Sequence, residues 1–181
     1  MHTPLFLTGL AKLTFGVLVG AFGIFFGLRV VTLLLRQPEG DRALAEGNAA
    51  LGVMQASCLV SLGLLVQPAV QASFDAMDLL YRGQSLAPSM LLRFLTYAVL
   101  HVGSALVVGA AVIALGIRIF ARLTRNVDEL DEIRKGNVAP ALALGAVVVV
   151  MALLAAPGLR TILDGLLPLP ELPRDVVPMP S

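Results

Sequence analysis

Glu129-Leu130-Asp131-Glu132-Ile133-Arg134-Lys135-Gly136-Asn137 is a short charged passage between two long apolar runs, and its Gly-Asn ending already occurs 89 positions earlier (137 − 48) as Glu46-Gly47-Asn48. Sliding the chain against itself by that interval, without a gap, lays Gly20, Ile24, Gly27, Arg29, Arg36, Pro68 and Asp75 on Gly109, Ile113, Gly116, Arg118, Arg125, Pro157 and Asp164. Identities between positions 20 and 75 exceed the roughly 4 to 6 that this composition gives by chance. The chain therefore reads as a tandem duplication. Each copy holds two apolar segments joined by a charged link.

Composition decides what surrounds these segments. With 57% hydrophobic and 14% charged residues, and a mean hydropathy of +0.89, 181 residues carry more apolar surface than a water-soluble domain can hide. Four stretches meet the spanning length of about 20 mostly apolar residues: Leu13 to Leu35, Ala49 to Val66, Leu95 to Ile119 and Val138 to Ala155. The first is expected to be a true span rather than a cleaved signal, because no basic n-region precedes it and the apolar run is too long. The fold class expected is an all-α membrane protein with four transmembrane helices, arranged as two tandem helix hairpins of parallel topology with short interfacial helices.

Both links follow an odd-numbered span, so they emerge on one face of the bilayer and the repeats are related by an axis along the membrane normal. The first repeat is expected over 1–89, with its link at 36–48, and the second over 90–165, with its link at 121–137. The link side carries eight basic residues, among them Arg29, Arg42, Arg118, Arg122, Arg134 and Lys135, against five on the other side. The positive-inside rule makes the links cytoplasmic and puts both termini outside.

Within the second link, acids come early, bases late and a glycine last, the order of a short helix with a glycine stop, and Leu130 and Ile133 give it an apolar side. Asn48 and Asn137 then stand where the following spans need N-caps. After the even spans, Pro68 and Pro157 are expected to end or kink the helix. Val70, Phe74, Met77 and Tyr81 recur at helical spacing beyond Pro68, which predicts an outer interfacial helix over 69–82. The five prolines of 166–181 predict an extended tail.

Few residues can carry chemistry. Lys12 and His101, at equivalent places near the outer ends of their spans, are ionisable groups inside apolar segments and so candidates for an ion or proton site, although a lysine there can also snorkel to the interface. Gly47, Asn48, Gly136 and Asn137 are either helix caps or a paired amide site for an ion or partner. Gly16, Gly20, Gly23 and Gly27, answered by Gly109 and Gly116, predict close helix packing, within the chain or between subunits. Gln55, Ser57 and Ser61 are expected to bond across helices. Cys58 is the single cysteine, which allows no disulfide within the chain. No catalytic dyad, phosphate loop, cofactor motif or metal cluster is legible, nor a basic stripe for nucleic acid, so the expectation is a protein that is not an enzyme and holds no cofactor.

Two apolar hairpins with links ending Gly47-Asn48-Ala49-Ala50 and Gly136-Asn137-Val138-Ala139, the second preceded by Asp128-Glu129-Leu130-Asp131-Glu132-Ile133-Arg134-Lys135, resemble the YjfL-type bacterial membrane proteins, domain of unknown function 350. The resemblance covers about 10 to 165. It implies a four-span bacterial inner-membrane protein and no particular activity. The reading that follows is a homo-oligomeric scaffold or accessory component, embedded in the lipid bilayer, that engages a cytoplasmic or membrane protein partner, or lipid, through its Gly-Asn links. The alternative is a small oligomeric channel or transporter.

Overall fold

The computed structural model describes residues 3–35, 40–81, 88–124 and 128–166, and all its regular elements there are helical. In chain order they are α1 (Thr3–Leu35), α2 (Gly40–Ala45), α3 (Ala49–Tyr81), α4 (Pro88–Leu123), α5 (Glu129–Arg134) and α6 (Val138–Leu166). α1, α3, α4 and α6 are each long and apolar enough to cross a membrane. At about 1.5 Å per residue, even the 29 residues of α6 outreach a hydrocarbon layer of about 30 Å.

α3 is the centre of the bundle. It packs most extensively on α6, then on α4, and more lightly on α1. One apolar core runs through all four long helices: Val31 and Leu35 of α1, Leu51, Met54, Leu62 and Leu65 of α3, Leu106 and Ile113 of α4, and Leu144 and Val148 of α6 are all buried. The two halves expected at 1–89 and 90–165 thus share their core. α1 is peripheral, and Leu13, Leu18, Phe22, Phe25 and Leu33 point away from the other helices. Such a helix is at ease only where the surroundings are themselves apolar.

The structure corrects the expected ends of the spans. α3 passes through Pro68 and α6 through Pro157, so the interfacial helix expected over 69–82 is the continuation of α3 to Tyr81. Proline removes one ladder hydrogen bond, but the turns beyond it are held by packing. Ala76 and Met77 are buried with Phe94, Tyr97 and Ala98 of α4, and Phe15 of α1 packs against them. Phe15 also meets Phe74 edge-on, with ring centroids 6.1 Å apart. The face formed by Phe74 and Met77 therefore turns into the bundle instead of onto a lipid surface. The apolar side of α5 behaves likewise: Ile133 is wholly buried in the core, with Leu130 packed against it. The tail from 167 onward lies outside the described residues.

Glycines account for three of the closest helix approaches. A Cβ on Gly27 would stand 2.7 Å from Leu59 Cδ2, on Gly109 2.9 Å from Leu62 Cδ1, and on Gly116 3.1 Å from Met151 Sδ. Gly16 makes only ordinary contact, with Phe74, and Gly20 and Gly23 have open space before them. These last two border an apolar groove of about 310 Å³ between α1 and α3. The tightest approach is one the sequence did not single out: Gly145 of α6 against Ser57 of α3. Ser57 and Ser61 donate to carbonyls one turn back in their own helix, those of Val53 and Ser57. The cross-helix bonds expected of them are replaced by this local satisfaction, which leaves the α3–α6 seam free to close on small groups.

Candidate functional site

Each link folds by the same local rule. α2 ends with the Asn48 amide donating to Ala43 O at 2.9 Å and the Gly47 amide to Leu44 O at 3.0 Å. α5 ends with Asn137 donating to Glu132 O at 2.9 Å and Gly136 to Ile133 O at 3.0 Å. This paired pattern requires a left-handed residue just past the helix. Gly47 and Gly136 supply it, with φ of 89° and 93°. No neighbouring atom crowds either glycine, so backbone conformation alone demands them. The asparagine that closes one helix then caps the next: Asn48 Oδ1 accepts from the Leu51 amide at 2.9 Å, and Asn137 Oδ1 from the Ala139 amide at 3.2 Å.

The two asparagines part company in their amide nitrogens. Asn48 Nδ2 reaches across the bundle end and donates to Arg134 O at 3.0 Å and Ile133 O at 3.3 Å. Asn137 Nδ2 stays within its own link, on Glu132 Oε2 at 3.2 Å. Arg134 completes the clasp by donating from Nε and Nη2 to Leu35 O, the last carbonyl of α1, at 3.1 and 2.7 Å. Helix ends leave such carbonyls without intrahelical partners, and a cation there also meets the negative end of the helix dipole. The end of α1, the turn before α3 and the end of α5 are thereby bonded into one platform.

A basin of about 690 Å³ opens on this platform, walled by Arg42, Ala43, Glu46, Gly47, Asn48, Arg134, Lys135 and Gly136. Of the four residues singled out in the links, the structure brings Gly47, Asn48 and Gly136 together there. Asn137 is bonded away from Asn48, so no paired amide site forms. Three bases face one acid in the basin walls. Arg42 is bonded to Glu46 at 2.9 Å, and Lys135 bridges Asp131 at 2.6 Å and Glu132 at 3.2 Å.

These bonds set the charge of α5. The hydrogen bond from Lys135 holds the Asp131 carboxyl below its usual range, bonds from Asn137 and then Lys135 do the same for Glu132, and Asp131 and Glu132 together hold the Lys135 ammonium on to higher pH. The depressed carboxyls support α5 fully above the usual carboxylate range, about 4, and that support is lost as pH falls through their lowered values. The raised lysine supports it below about 10.4 and loses it as pH climbs further. All three are exposed, so the effect is local and screened by salt. In carboxyl ¹³C titrations, Asp131 and Glu132 are expected to protonate below their ordinary carboxyl ranges, and Lys135→Ala to move both upward.

Lys12 and His101 lie at the opposite end and serve different contacts. Lys12 is bonded to Asp78 of α3 at 2.7 Å and sits over the Phe74 ring. Lys12 thus has a carboxylate partner in a partly buried position at this end of the bundle. His101 is fully buried and pairs with Tyr97 one turn earlier. Asp78 and Tyr97 were not singled out from the sequence. The i, i+4 spacing of Tyr97 and His101 on one helix was the available signal for the second.

With both links inside it, the stretch from 5 to 159 matches the family described as Domain of Unknown Function (DUF350). The chain belongs to the DUF350 family. No curated protein and no solved structure matches it. For this DUF350 chain the two Gly-Asn steps therefore have a physical account, as a glycine stop fused to an asparagine cap. Among the described residues, no group of His, Cys, Asp and Glu is arranged to hold a metal ion.

Proposed function

We propose that this DUF350 protein is a bacterial inner-membrane scaffold or accessory component with cytoplasmic links and outward termini. It works as a homo-oligomer and engages an acidic partner segment or anionic headgroups through the basin between the links. The observation that carries this reading is the Asn48 amide on the Ile133 and Arg134 carbonyls, because it makes one continuous surface from segments 85 and 86 residues apart in sequence. Arg42 and Lys135 at that surface are paired with Glu46, Asp131 and Glu132, whereas Arg134 is bonded to the neutral Leu35 carbonyl and keeps its charge for acidic chemistry, and Arg29, Arg118 and Arg122 belong to the same basic side, the side that faces anionic lipid.

A photocrosslinker at Asp131, in intact membranes, tests it. Adducts to a protein or to anionic lipid are expected that weaken when Asn48→Ala unfastens the platform. A labelling profile identical to that of a crosslinker at lipid-facing Leu154, 77% exposed, would overturn the proposal. The alternative, a small channel or transporter, draws on buried His101. Since Met54, Leu62, Leu65, Leu144 and Val148 fill the middle of the α3–α6 seam, such a path runs at a subunit interface.

A further inference from the structure

We infer that the cleft between α5 and the link-side ends of α1 and α4 is a binding site for an anionic phospholipid. It holds about 540 Å³, and its walls set Leu33 and Leu34 of α1 and Ile117 of α4 beside three charged groups, Arg118 of α4 and, at the two ends of α5, Asp128 and Arg134. The duplication shows how the space arises. Arg29 and Arg118 are equivalents, 89 positions apart (118 − 29), and Arg29 lies over the Phe25 ring at 5.3 Å. In the second copy Ala114 takes the place of Phe25 (114 − 25 gives the same interval), and Ala114 lines the cleft. The smaller side chain opens room one turn from Arg118 and removes the ring on which an arginine can stack. Arg118 is exposed and makes no hydrogen bond, ion pair or ring contact among the described residues.

Arg134 has two of its N–H groups on Leu35 O, which leaves three of the five a guanidinium carries. The acid in the walls, Asp128, accepts the Asp131 amide at 3.1 Å, and no ion pair among the described residues joins it to either arginine. Of the neighbouring charges, Arg122 follows Arg118 by one turn of α4, Glu129 is buried, and Asp131 and Glu132 are held by Lys135. What the cleft offers is therefore guanidinium donors without a protein acceptor, beside an apolar wall. A phosphate diester carrying acyl chains matches both parts, since arginine takes phosphate in a bidentate fork and basic pockets between spanning helices suit anionic headgroups. The depth agrees. Leu33, 76% exposed, lies in the last turn of α1, and Arg118 stands five residues (123 − 118) before the end of α4, at the level of the bilayer headgroups. An acidic peptide would press backbone amides on leucines that offer them no hydrogen bond, whereas a phospholipid brings methylene chains. The cleft shares Arg134 and no other described wall residue with the basin between the links, so the two sites can be tested apart.

Native mass spectrometry of the protein released from nanodiscs of equal phosphatidylcholine and phosphatidylglycerol reads which lipid stays bound. Phosphatidylglycerol is expected to be enriched, and Arg118→Gln to lower that enrichment about fivefold. Ala114→Phe, which keeps every charge and restores the ring of the first copy, should lower it as far by filling the cleft. Arg29→Gln, the same loss of charge at the matched place, should leave it unchanged. Arg118 is exposed, so its comparison with Arg29 decides the matter even where Ala114→Phe fails to fold. Inorganic phosphate in excess should not displace the lipid, because it has no chains for the apolar wall; displacement would overturn a phospholipid as the ligand. Equal retention of the two lipids, or enrichment that survives Arg118→Gln or a folded Ala114→Phe, would overturn the site. Enrichment lost with Arg42→Gln instead would place the lipid in the basin and overturn the cleft while sparing the reading of the links.

Discussion

Asn48→Ala is expected to destabilise the folded bundle by about 2–4 kcal/mol, while Asn137→Ala costs only about 0.5–1 kcal/mol. Loss of an N-cap accounts for about 1 kcal/mol in either variant. Asn48 also loses two donated bonds, to Ile133 O and Arg134 O, each worth about 1 kcal/mol, and while Ile133 O keeps the Gly136 amide, the partly buried Arg134 carbonyl must find another donor. Asn137 loses a 3.2 Å bond to an exposed carboxylate, which water replaces. Reversible unfolding of both variants in lipid, for example by steric trapping, measures the difference. Equal costs would mean that the clasp between the links adds nothing to the caps. From sequence the two asparagines are equivalents; the expected disparity comes wholly from where their Nδ2 atoms end up.

Gly145→Val should be the most damaging replacement among the glycines of the helix seams, at about 1–3 kcal/mol, and Gly20→Ala close to neutral. The new side chain at 145 meets Ser57 Oγ and, at 3.0 Å, Ser57 Cβ. Cβ is fixed to the backbone and cannot swing aside, so α3 and α6 must separate along the largest helix contact in the protein. At Gly20 the added methyl enters open space, and alanine is also the better helix former. Ser57→Gly combined with Gly145→Val should recover part of the loss, giving a coupling energy of opposite sign in a double-mutant cycle. Additive costs would show that the seam does not set the helix separation.

Much of the architecture was legible along the chain. Apolar runs of spanning length, broken by Gly47-Asn48 and Gly136-Asn137, placed the starts of α3 and α6 at 49 and 138, because a left-handed glycine followed by a capping asparagine leaves the backbone little choice. The other ends were less legible. Pro68 and Pro157 can end a helix or only kink it, and a single sequence displays the lost hydrogen bond but not the partners, such as Phe94 and Tyr97, that hold the next turns. The glycine rhythm of α1 suffered in the same way: spacing alone puts Gly16, Gly20, Gly23 and Gly27 on one face, yet only Gly27 is approached closely, because α1 meets α3 along only part of its length.

What the amino-acid order determined by itself was the medium, the helices and their caps, all of which follow from hydropathy and backbone geometry summed over neighbouring residues. The crossing of the helices decided the rest: that Asn48 grips the end of α5 while Asn137 does not, that Gly145 rather than Gly20 makes the tightest seam, and that His101 is enclosed with one nitrogen unmet. Those outcomes depend on contacts between groups tens of residues apart, where a rotation of one helix changes which atoms lie within bonding distance.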